Sequence, residues 1–185
     1  FNADDVLFSF ERQWKADHPW SAYTSGISWE YFNSMSMGDL LKEIVKVDDY
    51  TVKFVLNRPE APFIANLAMD FASILSAEYA AQLEASGNMA MLNQQPVGTG
   101  PYKFVEWLKG DHITLEANPN YWNGTPPAKR VIFRAVPENS TRIANLLSGR
   151  SDLVFGVNPD DQGRVTGDNN LTVLSSPTER IAYLM

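Results

Sequence analysis

The sequence predicts an α/β fold in two parts, because two different patterns of secondary structure follow one another along the chain. Residues 1–124 combine helical periodicity with two stretches of strict alternation, as in β-hairpins. Residues 125–185 instead place short, continuously apolar strands between helices, in the order β-α-β-α-β. Such strands are typical of a sheet that is covered on both faces. The proline-containing segment 124–127 is the expected linker.

The first residues have the signals of a helix over 3–15. Asn2 is the predicted N-cap, and two aspartates follow in the first turn, where the helix dipole favours negative charge. From Leu7 onward, apolar residues recur at i, i+3 and i+7 and give the helix one apolar face. Residues 15–36 lack a steady period and are rich in aromatic side chains, which predicts a long loop with a short helical turn.

Two later segments of the first part alternate between apolar and polar residues and predict β-hairpins. One covers residues 41–56, and the other pairs 102–107 with 113–117 around a short glycine turn. We expect the two hairpins to share one small sheet. Two short helices are predicted between them, the first beginning near Pro62 and the second capped by Ser76.

In the second part, two helical patterns separate short apolar runs. The first helix is predicted to begin at Asn139 or Ser140, and the second has Asn158 as its N-cap with Pro159 in the first turn. Together with the strands they give the alternation of a sheet with helices packed against it. The predicted strands lie at residues 131–133, 153–155, 171–174 and 181–184.

The composition excludes several classes of function. The 185 residues have an ordinary hydrophobic content of 44%, and a formal net charge of −7 argues against a nucleic-acid partner, which attracts a basic surface. Because the sequence contains no cysteine, it excludes disulfides and thiolate metal sites. No apolar run approaches the roughly 18 residues that a membrane span requires.

Residues that could hold a metal or perform catalysis form no motif. His18 and His112 lack a second histidine at helical spacing, so we expect no zinc site. The aspartate pairs at 4–5 and 160–161 are explained by helix starts, and there is no G-x-S-x-G elbow. The residues alone therefore show no catalytic centre and favour a binding protein over an enzyme, and we expect no metal, no cofactor and no enzymatic activity.

Three motifs carry a resemblance to a known family. The segment GTGPYKFVEW, a return strand and then NPNYW resemble the central signature of the solute-binding proteins of bacterial peptide ABC transporters. The opening FNADDVLFSFERQ is similar to the family segment that leads into its smaller lobe. The stretch from VDDYTVKF to SAEYA is most similar to the dipeptide-binding branch. These matches run through the whole chain in the family's order.

The resemblance implies a fragment of a type II periplasmic-binding-protein-like fold. Residues 1–124 would be the small accessory subdomain of the first lobe, built of β-hairpins and helices. Residues 125–185 would be part of the main mixed sheet of that lobe, ending at the crossover to the second lobe. We expect the second lobe, both flanks and the signal peptide to lie outside this sequence, and we expect the 185 residues alone to self-associate.

The function implied by the resemblance is that of the substrate-binding component of a dipeptide or oligopeptide ABC importer. Two lobes would close on a small peptide ligand and deliver it to the permease subunits in the inner membrane. The expected location is the periplasm, or a lipid-anchored position at the cell surface in a Gram-positive relative. The full-length protein is expected to be monomeric and to have no nucleic-acid partner.

Six residues are candidates for ligand contact, because they match segments that border the cleft in this family. Trp20 follows Pro19 where relatives carry a Pro-aromatic pair whose ring lines the cleft; the alternative is that the ring packs in the core of its own lobe. Arg180 would form a bidentate pair with a ligand carboxylate, or else an ion pair at the lobe surface. The remaining candidates are Gly156, Val157, Asn158 and Glu179.

Two alternative functions remain open at this point. A protein of the same family could bind another ligand, since relatives carry haem, nickel, glutathione, sugars or antimicrobial peptides on one scaffold, and a fold does not determine its ligand. A non-catalytic, chaperone-like interaction module is the second alternative, which an exposed apolar groove would favour.

Overall fold

The computed structural model of the chain describes residues 1–23 and 29–176. Contacts divide the chain into two units, of which the first comprises Phe1–Phe133 and the second begins at Arg134. The boundary predicted from the sequence lies at residue 124. Contacts instead place residues 125–133, which follow or contain the proline segment, in the first unit. No helix in the described ranges is long and apolar enough to cross a membrane.

Helix α1, Ala3–Trp14, begins with a capping box. Asn2 Oδ1 accepts hydrogen bonds from the Asp4 N–H at 2.9 Å and the Asp5 N–H at 3.4 Å, and Asp5 Oδ2 accepts one from the Asn2 N–H at 2.7 Å. Three of the N–H groups at this terminus are thereby satisfied. The predicted helix and its N-cap are confirmed.

Short elements complete the first unit. The loop predicted at residues 15–36 contains one short helix, Glu30–Ser34, and a second short helix follows it at Met37–Leu40. Two 3₁₀ helices lie at Asp70–Ala72 and Met89–Asn93. The remaining elements are α2 (Glu30–Ser34), α3 (Met37–Leu40), β1 (Leu41–Asp48), β2 (Thr51–Leu56), α4 (Phe63–Asn66), α5 (Ala77–Ala85), β3 (Tyr102–Leu108), β4 (His112–Ala117) and β5 (Arg130–Arg134).

The strands of the first unit form two separate sheets. β1 pairs with β2 and β3 pairs with β4, both antiparallel, so the two predicted hairpins are confirmed. The prediction that they share one sheet is wrong, because β5 takes the free edge of β4 while β1–β2 packs on α1. At the start of β5, the Ala117 N–H donates to the Lys129 carbonyl oxygen at 2.9 Å.

The main core of the first unit lies between α1 and the β1–β2 hairpin. The rings of Phe10 and Phe54 meet edge to face at 5.1 Å, and Phe63 packs on Phe54 at 5.6 Å. This is the geometry that aromatic pairs prefer in cores. The buried residues of this cluster are Phe10, Phe32, Met37, Leu40, Leu41, Ile44 and Phe63.

The second unit contains helices α6 (Asn139–Leu147) and α7 (Pro159–Thr166). Ile143, Leu146 and Val165 are buried between these helices and form the core of the unit. The helix boundaries agree with the prediction, except that Glu138 is the N-cap of α6 and its side chain makes no capping bond.

Two strands predicted for the second unit are wrong. Residues 153–155 and 171–174 are irregular, since a strand requires a neighbouring strand and neither segment pairs with one among residues 134–176. Alternate side chains pack on the helices, whereas Phe155 and Leu174 are 76% and 89% exposed. The predicted strand 181–184 lies outside the described residues.

The strand predicted at 131–133 is confirmed as β5, but its surroundings are not those expected. It belongs to the sheet of the second hairpin, and Ile132 and Phe133 are exposed rather than covered on both faces. The β-α-β-α-β alternation predicted for residues 125–185 therefore reduces, in the described part, to one strand followed by two helices.

Candidate functional site

The candidate site in the first unit is the corner at residues 16–23, where the chain leaves α1 through a series of turns. The Trp20 N–H donates a hydrogen bond to Nδ1 of His18 at 3.1 Å, so the imidazole closes the backbone turn that Pro19 occupies. The Ser21 N–H donates to the His18 carbonyl oxygen at 2.9 Å. These bonds fix the direction in which the Trp20 side chain leaves the backbone.

The Trp20 side chain lies inside a second, smaller core. Its exposed fraction is 2%, and its ring meets Phe8 of α1 edge to face at 5.8 Å. The indole N–H donates to Oε2 of Glu84 on α5 at 3.2 Å, which satisfies the one polar group of the ring. The other buried residues of this cluster are Ala80, Leu83 and Leu92.

Helix α5 is held in place by a polar row on α1 that sequence reasoning missed. Asp5 Oδ1 accepts from the Ala77 N–H at 2.8 Å, and Ser9 Oγ accepts from the Leu75 N–H at 2.8 Å. Gln13 Nε2 extends the row by donating to the Phe71 carbonyl oxygen at 2.9 Å. The three side chains are four residues apart, so their spacing in the sequence was the available signal.

The charges around this corner come from both helices. Burial lowers the pKa of His18, and Glu11 and Glu84 act in the opposite direction by favouring the charged imidazolium. Burial also lowers the pKa of the Arg12 guanidinium, whose Cζ lies 4.8 Å from the ring centre of Trp29. This cation–π contact attaches the residue at the start of α2 to α1.

Two roles were considered for Trp20, lining the ligand cleft and packing in the core of its own lobe, and its burial bears on both. A side chain that is 2% exposed packs in the core of its own unit, as the alternative proposed. Tyr23 lies beside it with a ring distance of 5.4 Å and is 40% exposed, so it presents the aromatic surface of this corner. Ligand contact by Trp20 itself stays a prediction.

A second organised loop links the glycine turn before β3 to the end of β4. Asn118 is buried, and its Nδ2 donates to the Gly100 carbonyl oxygen at 3.0 Å while its backbone N–H donates to the Pro101 carbonyl oxygen at 2.8 Å. Its Oδ1 accepts from the Asn120 N–H at 3.1 Å. One asparagine thus ties together the two ends of the hairpin that carries the GTGP and NPNYW motifs.

In the second unit, the predicted contact residues 156–158 form the turn into α7. Gly156 has a φ of 71°, which suits glycine, and Val157 packs on the core of the unit. Asn158 is the N-cap of α7 as predicted, although its side chain makes no capping bond. The structure brings these three candidates together on one turn.

The turn is stabilised from α6 by a network that sequence reasoning did not identify. Asn139 Nδ2 donates to Asp161 Oδ2 at 2.6 Å, and Arg164 Nη1 lies 3.0 Å from the other oxygen of the same carboxylate. Arg142 Nη1 donates to the Pro137 carbonyl oxygen at 2.6 Å. The Asn139–Asp161 bond fixes the first turn of α7 against the start of α6, and the Arg142 bond stabilises the start of α6 itself. The remaining candidates, Glu179 and Arg180, lie outside the described residues.

The surroundings of His18 and His112 bear on metal binding. Nε2 of His112 lies 3.5 Å from Glu106 Oε1 and Nδ1 lies 3.0 Å from Asp111 Oδ2, so the two carboxylates meet opposite sides of the ring and do not converge on one point. His18 Nδ1 is occupied by the Trp20 N–H. Within residues 1–23 and 29–176, no three His, Cys, Asp or Glu side chains are grouped to hold a metal ion.

The whole sequence fits one family model. Residues 1–185 match the model described as "Bacterial extracellular solute-binding proteins, family 5 Middle". The chain belongs to this family. The family and the fold class predicted from the sequence are thereby confirmed, and the description places family members outside the cytoplasm as binders of solutes.

Named relatives of this family 5 chain bind different ligands. Di/tripeptide-binding protein 4 of Pseudomonas aeruginosa is 44% identical over 172 residues, which cover 93% of the chain and 32% of the relative. Heme-binding protein A of Haemophilus influenzae is 40% identical over 184 residues, which cover 100% of the chain and 34% of the relative.

The fold is similar to that of a solved peptide complex. The periplasmic binding protein DppA from Helicobacter pylori, in complex with the peptide STSA, superimposes with a TM-score of 0.84 at 42% identity over 92% of the family 5 chain. The superposition covers 33% of the DppA chain. The chain thus spans about a third of the length of the relatives it matches.

Proposed function

We propose that the protein containing this chain is the substrate-binding component of a bacterial peptide ABC importer and captures dipeptides or short oligopeptides. The observation that carries the proposal is the match of all 185 residues to one solute-binding family, together with relatives that are named for peptide binding. The −7 charge and the aromatic corner are consistent with a soluble binder of small ligands rather than of nucleic acid.

In this proposal the chain supplies part of the first of two lobes, with residues 1–124 as its accessory subdomain and 125–185 as part of its main sheet. Closure of the lobes would exclude water from the ligand and create the surface that the permease recognises. The turn at 156–158 supports the proposal as a glycine-containing loop that leads into the start of a helix. Together with Glu179 and Arg180, we expect it to border the ligand.

Trp20 has a distinct place in this proposal. Its ring is buried against α5, and the neighbouring Tyr23 is exposed. We therefore propose that Trp20 supports the aromatic wall of the cleft from behind, and that it touches the ligand at most through its edge. The Glu84 hydrogen bond keeps the indole in the orientation that this role requires.

The proposed partners and location follow from the family. The protein would act in the periplasm, or attached to the cell surface, and deliver its ligand to membrane permease subunits without chemical change. It would therefore bind peptides without hydrolysing them.

A second candidate is a protein of the same family with haem as its ligand. The observation in its favour is the Haemophilus influenzae heme-binding relative, whose identity to the chain is close to that of the di/tripeptide-binding relative. The scaffold similarity is nearly the same for both, so it does not separate the two ligands. A chaperone-like module is less favoured, since no relative named above is described as a chaperone.

Native mass spectrometry of the full-length protein, purified without denaturation, tests the proposal. We expect a heterogeneous set of bound masses that fragment as di- to oligopeptides. A single bound species with the mass of haem, in a preparation that also shows the absorption spectrum of haem, would support the second candidate. It would contradict peptide binding as the main function.

A further inference from the structure

The His18 imidazole is part of the backbone turn that precedes Trp20. Its Nδ1 accepts a hydrogen bond from the Trp20 N–H at 3.1 Å, so this nitrogen carries no proton and the neutral ring is protonated at Nε2. The ring also packs near Phe8 of α1, with centres 5.9 Å apart. A protonated imidazole would present an N–H at Nδ1 to the N–H of Trp20, and two donors cannot share that position.

We propose that His18 is a pH-sensitive latch, which holds the Trp20 corner while the imidazole is neutral and releases its backbone when the imidazole is protonated. The imidazole is the titrating group, and the Trp20 N–H is the group that loses its partner. The indole keeps a separate tie to Glu84, because Nε1 donates to that carboxylate 3.2 Å away. Protonation thus loosens the turn at residues 18–20 and leaves the ring attached to α5.

Charged groups from both neighbouring helices face the imidazole. Glu11 and Arg12 belong to α1, Lys15 is the C-cap residue of that helix, and Glu84 belongs to α5. Both carboxylates favour the imidazolium, whereas the guanidinium and the ammonium oppose it. The ammonium is itself paired with Glu11 at 2.6 Å, so these two charges largely offset each other.

Burial is the largest of these effects on the imidazole, and it lowers the pKa of His18 from its ordinary value of about 6.5. The unfolded chain therefore binds the proton at a higher pH than the native corner does. It follows that the latch is fully closed above about pH 6.5 and weakens as the pH falls from there through the native pKa of His18.

The test is an NMR titration of the full-length protein containing this chain, from neutral to acidic pH. It follows the imidazole proton shifts of His18, the Trp20 amide shift and the hydrogen-exchange protection of that amide, corrected for the intrinsic effect of pH. His18→Asn keeps an acceptor for an N–H two residues ahead but does not titrate in this range. His18→Phe keeps a ring beside Phe8 but has no acceptor. His112→Asn is the matched control on the β3–β4 hairpin.

We expect Trp20 amide protection in the unaltered protein and in His112→Asn to fall at least tenfold as His18 becomes protonated. His18→Asn should keep its protection over the same range, and His18→Phe should lack it at every pH. The proposal is overturned if His18 titrates without a change at the Trp20 amide, or if His18→Asn shows the same loss as the unaltered protein. If His18→Phe alone loses its dispersed amide signals, that variant has unfolded. The comparison of the unaltered protein with His18→Asn then still decides the question.

Discussion

The indole N–H of Trp20 donates a hydrogen bond to the Glu84 carboxylate at 3.2 Å, and this bond joins two segments that lie 64 residues apart. It connects the corner after α1 to helix α5. The polar row of Asp5, Ser9 and Gln13 holds the other end of the same arrangement, because it binds the backbone leading into α5. Helix α1 therefore positions α5 through the polar row, and α5 in turn holds the Trp20 indole through Glu84.

Replacing Trp20 by alanine in the full-length protein should lower the free energy of unfolding by about 3 kcal/mol, since a buried indole and its hydrogen bond are lost. Thermal melts measure this loss, and calorimetry on the folded fraction measures ligand affinity. Trp107→Ala, on the exposed face of the second hairpin, is the control and should cost less than about 1 kcal/mol. If Trp20→Ala melts normally but binds ligand weakly, the ring lines the cleft directly.

Asp5→Ala should destabilise the first unit by about 2 kcal/mol, because Asp5 accepts from the Asn2 N–H in the capping box and from the Ala77 N–H across to α5. The neighbouring Asp4 is the matched control. Its exposed side chain pairs with Lys46 at 2.9 Å, so Asp4→Ala should cost much less than Asp5→Ala. Equal effects of the two substitutions in chemical denaturation would refute the role assigned to the polar row.

Asn118→Ala should cost about 2 kcal/mol, because a buried side chain that bonds Gly100 and Asn120 is removed and their backbone groups lose partners. Asn120→Ala serves as control, since Asn120 is exposed and contributes its backbone N–H, which the substitution keeps. Urea denaturation compares the two variants. A stability of Asn118→Ala equal to that of the control would mean that the loop is held by other contacts.

The 185-residue chain produced alone should self-associate through its second unit. Phe155 and Leu174 are largely exposed in segments that pair with no strand among residues 134–176, and such surfaces pair readily with a second copy. Light scattering should show a mass that rises with concentration, and Phe155→Glu combined with Leu174→Glu should reduce it. Ile64→Glu changes an equally exposed apolar residue of the first unit and should leave association unchanged. A monomer at every concentration would show that these side chains do not mediate pairing.

Local signals in the sequence predicted most of the first unit. The N-cap at Asn2, the period-two hairpins and the helix capped by Ser76 all depend on residues close together in the chain, and all are present. What these signals could not specify was which sheet a strand joins. The assignment of β5 depends on the free edge of β4, a long-range choice that the apolar run at 131–133 does not encode.

The strands predicted at 153–155 and 171–174 failed for a related reason. Their apolar character indicates burial in a sheet, but a strand forms only where a partner supplies hydrogen bonds, and none pairs with them in the described part of the second unit. The candidate site was likewise predicted only in part. The position of Trp20 after Pro19 drew attention to the corner, whereas its burial and its bond to Glu84 follow from tertiary packing that no local pattern predicts.

Titration calorimetry of the full-length protein, freed of bound ligand by refolding, tests peptide binding most directly. The account predicts saturable binding of dipeptides or short oligopeptides with one-to-one stoichiometry and a dissociation constant of about a micromolar or below. Free amino acids should bind far more weakly, because they lack the peptide unit. The absence of binding for a panel of di-, tri- and oligopeptides, with tight binding of haem to the same preparation, would contradict the central claim.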